Sequence, residues 1–353
     1  MKKLTLFYLS VFLIGCENNT TIKDQYIDPQ IVFSSRRWWN YDIFISDVFG
    51  ENSTQITKNK WIDFNPSISP DLKKLLFVSE RDGNREIYVA DLEWLDGYTQ
   101  WRADNLKNLT NSIENDWTPV YSPIENKILF STYFPENDNY DIFLMSDDGQ
   151  KKENLTNTPS YEKFPQFSPD GSFIIYQGWQ KGKMEIYFLS LLDKNRINIT
   201  RNVDANDIIP HGRAISPDAE TIVFTSERDG NQNIYLMTID GSFIEQITKD
   251  KSNDYEPIFS PTGESIAFTS ERDGNKEIYI INLKTKKLQN LTNNSADDWN
   301  PRFYPDGRKI VFQSVRDGNW EIYVMNLNGG RQTNISNHPS TDYSYFILPL
   351  TIP

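Results

Sequence analysis

The sequence predicts an all-β protein, a seven-bladed β-propeller of four-stranded antiparallel blades whose C-terminal strand pairs with the N-terminal blade. Three observations carry this. An Ile-Tyr or Ile-Phe pair recurs at Ile43, Ile87, Ile142, Ile186, Ile234, Ile278 and Ile322, at spacings of 44, 55, 44, 48, 44 and 44. Periods of this length mark repeat architectures. Each unit holds four short β-branched or aromatic runs bounded by turn residues, which is the composition of a propeller blade. The chain also opens on the second strand type of the unit and closes on the first, so the last strand completes the first blade and removes two sheet edges.

The unit around Ile278 illustrates the elements. Strand A is read as Pro257–Ser260, and Pro261-Thr-Gly263 forms a tight turn. Strand B is Ser265–Thr269, strand C is Glu277–Ile281, and strand D is Leu288–Thr292. The A cores lie near Pro66, Pro119, Pro165, Arg213, Pro257, Pro301 and Tyr345. The B cores contain Phe33, Phe77, Phe130, Tyr176, Phe224, Phe268 and Phe312. Strand D ends at Thr57, Thr110, Thr156, Thr200, Thr248, Thr292 and Ser336. The hexapeptide SERDGN, at Ser79–Asn84, Ser226–Asn231 and Ser270–Asn275, with SVRDGN at Ser314–Asn319, falls at the B-to-C corner. Asp-Gly between two apolar runs is a turn signal, so the copies follow from repeated geometry. The N-x-S/T triplets, such as Asn290-Leu-Thr292, are strand D endings.

Residues 1–15 read as a signal peptide. Lys2 and Lys3 precede an apolar run of 11 residues, Leu4–Ile14, too short for a permanent span of about 20. Leu13-Ile14-Gly15-Cys16 resembles a bacterial lipobox, which makes Cys16 the expected lipid attachment site. Residues 16–30 read as a flexible tether, and 31–353 as the propeller. Cys16 is the sole cysteine, so the domain holds no internal disulfide. The net charge of −13 and the lack of a basic stripe argue against nucleic acid. The membrane is expected to be reached through the lipid anchor only, and a monomer is expected.

SERDGN, together with Ser-Pro-Asp-Gly at Ser168–Gly171 and the closing Leu-Thr, resembles the TolB-like propeller repeat of bacterial envelope proteins, over about residues 31–349. The resemblance implies an extracytoplasmic propeller. TolB itself is usually described as six-bladed with an additional α/β domain, whereas seven units are counted here. Propellers host many activities, so the function must be argued from a site.

In an antiparallel blade the B–C and D–A loops leave by one end, so the corner arginines Arg81, Arg228, Arg272 and Arg316 are expected to share a face with the D–A loops. Those loops are read as carrying an acid beside an aromatic: Asp63-Phe64, Asp116-Trp117, Asp254-Tyr255, Asp298-Trp299 and Asp342-Tyr343. One reading is a binding face for an envelope protein, peptide or glycan. The other is structural, with aspartate capping a turn, rings packing between blades and arginine pairing with nearby carboxylates.

Blades that break the repeat add further candidates. The fourth D–A loop, 202–212, is longer and carries His211, followed by Arg213 in the place of the usual proline. Trp179 stands at an irregular corner and is expected at the rim. The loop 91–105, with Trp94, Tyr98 and Trp101, is read as an expanded C–D loop offering a docking surface on the opposite face. Asp82, Asn84 and Glu86 alternate like half a calcium loop, but Ile87 stands where glycine is needed. No metal or cofactor is expected. No G-x-S-x-G elbow is present. The expected function is a lipid-anchored binding or assembly module of the cell envelope, at the outer membrane on its periplasmic or surface side. The alternative is an envelope hydrolase or lyase acting on glycan or peptide through carboxylates at the channel face.

Overall fold

A computed structural model describes residues 30–37, 40–95, 100–180, 182–200, 205–210 and 213–347. These form seven four-stranded antiparallel sheets and no helix. The blades are numbered here by their A strands: Asp342–Ile347 for blade 1, then Asp63–Ile68, Asn115–Tyr121, Glu162–Phe167, Asp207–Ile208, Asp254–Phe259 and Asp298–Phe303 for blades 2 to 7. A strands of successive blades pack on one another about the axis, so strand A is innermost and strand D outermost. The closure follows the sequence reading. Asp342–Ile347 pairs antiparallel with Gln30–Ser35, with Ile31 opposite Ile347 and Ser35 opposite Asp342. Leu348 lies outside the described residues.

The repeat builds one aromatic pair per blade. The B-strand ring and the C-strand ring one residue after the isoleucine sit opposite each other, as Phe268 does with Tyr279. The seven pairs have centroids 5.4–6.0 Å apart. None of the B-strand rings is more than 2% exposed, and the core runs between adjacent blades around the whole ring. The strand D threonine, or Ser336, accepts the N–H of the C-strand isoleucine in every blade, at 2.9–3.0 Å. That bond ties the outer strand, two or three residues long in every blade but blade 2, to the sheet. It is the physical reason for the recurring Leu-Thr.

Strand A departs from the expectation. It begins three residues before the proline, at the acid placed in the D–A loop by sequence, so Asp63, Asp254, Asp298 and Asp342 are first residues of their strands and Asp116 the second. A β-bulge follows at once, with a register shift in each. Asn65, Thr118, Phe164, Glu256 and Asn300 there adopt φ between 50° and 59°. A bulge bends the strand nearest the axis, and the following proline has no N–H to lose.

Blade 5 corrects another reading. Asp207 pairs with Ser226 as Asp254 does with Ser270, and Ile215 bridges Ile222 as Phe259 pairs with Ile266. Five residue steps separate Asp254 from Phe259, and eight separate Asp207 from Ile215. Pro210 therefore matches the repeat proline, and Arg213 belongs to a three-residue insertion after it. The expanded loop of blade 2 is also no loose docking surface. Strands Glu86–Leu95 and Gln100–Asn108 continue as a hairpin, and Trp101 is buried against Trp94, 5.1 Å between centroids, within the blade 2 core. Tyr98 lies outside the described residues.

Candidate functional site: the rim of the channel

Each residue of SERDGN has a partner. In blade 6, Ser270 Oγ accepts from Arg272 Nε at 2.7 Å, and the guanidinium reaches both oxygens of Asp254 at 2.9 Å. The same guanidinium stacks over the Tyr279 ring at 4.6 Å. Asp273 accepts from Tyr279 Oη and from Asn290 Nδ2. Gly274 adopts φ +95° with open space around it, so only its backbone freedom is in demand. Asn275 Nδ2 donates to the carbonyls of Asn294 and Ala296 in the D–A loop that leads to blade 7. Asn84, Asn231 and Asn319 hold the corresponding loops in the same way. The corner is thus a latch between blades, and B–C corners and D–A loops do share a face.

The acids of strand A form a buried belt beneath that face. Asp63, Asp254, Asp298 and Asp342 are fully buried and Asp116 is 2% exposed. Two members escaped the sequence reading, Glu162 and Asp207; the pattern acid-x-x-Pro, intact in both, was the signal. Arginine neutralises five of the seven: Arg81–Asp63, Arg196–Glu162, Arg228–Asp207, Arg272–Asp254 and Arg316–Asp298, at 2.6–3.1 Å. Burial still pushes Asp207 and Asp254 above the usual carboxylate range. Arg196 comes from strand D, not from the corner, yet it covers the Tyr187 ring at 4.6 Å as its counterparts do. Arg37 takes the same place over Phe44 in blade 1, at 4.3 Å.

Blades 1 and 3 are the exceptions. Arg37 donates to Ser35 Oγ and the Ser336 carbonyl, not to Asp342, and burial pushes Asp342 up to about 7. In blade 3, Phe134 stands where the corner arginine would be, near Phe143, and Asp116 accepts instead from Thr132 at 2.6 Å. Burial, with the Glu86 carboxylate adding to it against the Thr132 bond, pushes Asp116 up to about 7.

Above the belt lies the rim proper. The residues following the acids, Phe64, Trp117, Tyr255 and Trp299, are half-buried, and Tyr343 is 39% exposed. Phe64 meets Trp117 at 5.9 Å and Tyr255 meets Trp299 at 4.9 Å. A cation from the preceding blade lies on the ring: Arg85 3.7 Å from the Trp117 centroid, and Lys276 4.3 Å from that of Trp299. Between blades 3 and 4 the order is reversed, with Lys163 on strand A and Tyr140 at the corner, 3.6 Å apart. The cation–aromatic stack is preserved although the two residues have traded positions. Each such stack contributes about 0.5–1 kcal/mol at an exposed site, more when desolvated.

The structure thus brings together Asp63, Asp116, Trp117, Asp254, Tyr255, Asp298, Trp299, Arg81, Arg228, Arg272 and Arg316 on one face, in two tiers. The acids other than Asp116 are sealed against corner arginines, and the aromatic residues lie above them. Trp179 is exposed at 44% near the blade 4 corner. Arg213 is exposed, and its backbone carbonyl accepts from Phe259 N–H. Its side chain forms no part of the acid–arginine belt. Cys16 and His211 lie outside the described residues. Asp82, Asn84 and Glu86, read for a calcium loop, are engaged within the corner: Asp82 accepts from Tyr88, Asn84 donates to the Ser112 and Glu114 carbonyls and to Glu86, and Glu86 also accepts from Thr110.

Fold and rim together define a closed seven-bladed propeller with inter-blade latches on one face. The chain belongs to the TolB beta propeller domain family, whose model matches residues 134–278 and 257–347. It is 29% identical over 115 residues to the Protein TolB homolog of Chlorobaculum tepidum, covering 31% of this chain and 24% of that protein, so it spans well under two thirds of that relative. Among solved structures, TolB from Acinetobacter baumannii aligns with 91% of this chain and 67% of its own, at a TM-score of 0.57 and 20% identity. Puromycin hydrolase aligns with 90% of this chain and 55% of its own, at 0.69 and 12%. At such identities these two likenesses show the fold alone.

Proposed function

We propose that this protein is a lipid-anchored extracytoplasmic binding module of the bacterial envelope, held by acylated Cys16 and capturing a protein partner at the channel rim. The observation that carries the reading is the tier of half-buried aromatic side chains with stacked cations, standing on an acid belt already neutralised by arginine. Aromatic rings and planar cations present rigid area at low entropic cost and dominate interface energetics. The envelope location draws on the family and on the apolar run before Cys16. The enzyme alternative is weakened by geometry, because Asp116 and Asp298 present almost no surface to a substrate.

Two experiments test it. Labelling of growing cells with radioactive palmitate should mark the wild-type chain and not Cys16→Ser; equal labelling removes the anchor from the reading. Affinity capture from detergent-solubilised membranes should recover a stoichiometric protein with the wild type and lose it with the Lys276→Ala/Trp299→Ala variant. Recovery of no such protein, or equal recovery by the variant, would remove the rim from the reading.

A further inference from the structure

The blade 3 corner, which supplies no arginine to its acid, borders a cleft of about 440 Å3 between blades 2 and 3. That lies within the range of roughly 300–1,000 Å3 common for small-ligand sites. Its walls are Trp117, Tyr133 and Tyr140, and its polar groups come chiefly from Glu80, Arg85 and Asn115. Tyr133 and Tyr140 are cross-strand partners with ring centroids 4.7 Å apart. In register they occupy the positions held in blade 2 by Glu80 and Arg85, and Phe134 occupies that of Arg81. Blade 3 has exchanged three charged residues for three aromatic ones at one place.

We propose that this cleft binds a pyranose ring of a neutral oligosaccharide. Three lines of chemistry select that class. The Tyr133 ring, which carries no stacked cation among the described residues, matches the apolar C–H face of a sugar ring, and Trp117 and Tyr140 flank it. The hydrogen-bonding groups around them are incompletely used: Glu80 engages Arg85 Nε through Oε1 at 2.8 Å, and Asn115 receives the Arg85 N–H on its Oδ1 at 3.0 Å. Glu80 Oε2, Asn115 Nδ2 and the Tyr140 hydroxyl have no partner among the described residues, and they supply acceptors and donors for sugar hydroxyls. Charge argues against ionic ligands. Arg85 already lies on Trp117 and Lys163 on Tyr140, which repels a cationic guest, and the Glu80 carboxylate beside Arg85 opposes an anionic one.

The inference does not rest on capture of a protein at the rim: Trp117 and Arg85 belong to the rim tier, but Tyr133 and Tyr140, which complete the cleft, stand where blade 2 has charged residues. Titration calorimetry on the full-length chain in a sugar-free detergent, with cellohexaose, chitohexaose and maltohexaose as probes, tests it. At least one probe should bind saturably. Trp117→Ala and Tyr140→Ala should each weaken it tenfold or more, Tyr140→Phe less, and Trp299→Ala not at all. Thermal unfolding of each variant, within a few degrees of the wild type, separates lost contact from lost fold. Where Trp117→Ala unfolds early, Trp117→Phe, which keeps an aromatic wall, should retain most of the affinity. Absence of saturable binding by all three probes overturns the proposal. So does binding undiminished in both the Trp117 and Tyr140 variants, or competition by tetramethylammonium. Trp299→Ala that loses the captured protein but keeps the sugar leaves this inference standing while the two sites separate.

Discussion

Arg272 shows how one side chain holds a blade corner. It binds a fully buried carboxylate, Asp254, and a second one, Asp250 at 2.7 Å, while covering an aromatic ring. Removing one partner of a buried pair leaves an uncompensated charge and costs about 3–5 kcal/mol, whereas removing both costs far less. Arg272→Ala should therefore lower unfolding stability by about that amount, and adding Asp254→Asn should restore much of it. Urea titration of the two variants checks this, and a double variant no better than the single one would count against the pairing. Asp116 gives the opposite case, an acid without an arginine. Its folded value of about 7 lies above the ordinary carboxylate range, so the unfolded chain gives up this proton first. The resulting penalty is absent near pH 4, grows as pH rises, and is complete above 7. Asp116→Asn should gain stability over the wild type across that window, by on the order of 2 kcal/mol or more at pH 8. Parallel unfolding at pH 4 and pH 8 measures it; an equal difference at both would refute the assignment. The corner pattern of Arg81, Arg228, Arg272 and Arg316 was legible in sequence because the hexapeptide repeats. The replacement of a corner arginine by Arg196 was not, since a side chain 34 residues from Glu162 fills the same space from another strand.

At the scale of the element, the B–C corner depends on glycine for a backbone reason alone. Gly83, Gly230, Gly274 and Gly318 adopt φ of 95–97°, and a Cβ there would touch nothing. Gly274→Ala should cost roughly 1 kcal/mol through backbone conformation, with no change in packing. Denaturant unfolding with an unchanged slope is the check. The blade 2 hairpin is a second case. Its length was read as a loop because Asp91–Asn105 mixes charge with aromatic residues and lacks a strict alternation. Strands Glu86–Leu95 and Gln100–Asn108 form all the same, because Trp101, opposite Trp94, joins Leu92 in the blade core. Trp101→Ala should destabilise by about 3–5 kcal/mol, measured in the same way; a loss below 1 kcal/mol would return the hairpin to the surface role first read for it.

For the whole molecule, the ring is closed by one strand. Asp342–Ile347 completes blade 1, and the Tyr345 ring packs with Ile31, Phe33 and Tyr304 in the seam between blades 7 and 1. Deleting residues 342–353 leaves the Gln30–Ser35 edge unpaired and exposes that seam. The truncated chain should lose cooperative thermal unfolding and associate through its open edge, as seen by light scattering. A monomer with an unchanged midpoint would show that closure contributes little. Sequence by itself determined the blade count, the strand order and this closure, because backbone ladders and an alternating apolar pattern repeat whatever the neighbours are. Only the tertiary structure decided that strand A starts at its acid, that Pro210 and not Arg213 holds the repeat position, and that Lys163 and Tyr140 exchange places in a stack. Those facts depend on side chains meeting across the gap between blades, and a linear pattern carries no record of which residues that gap brings together.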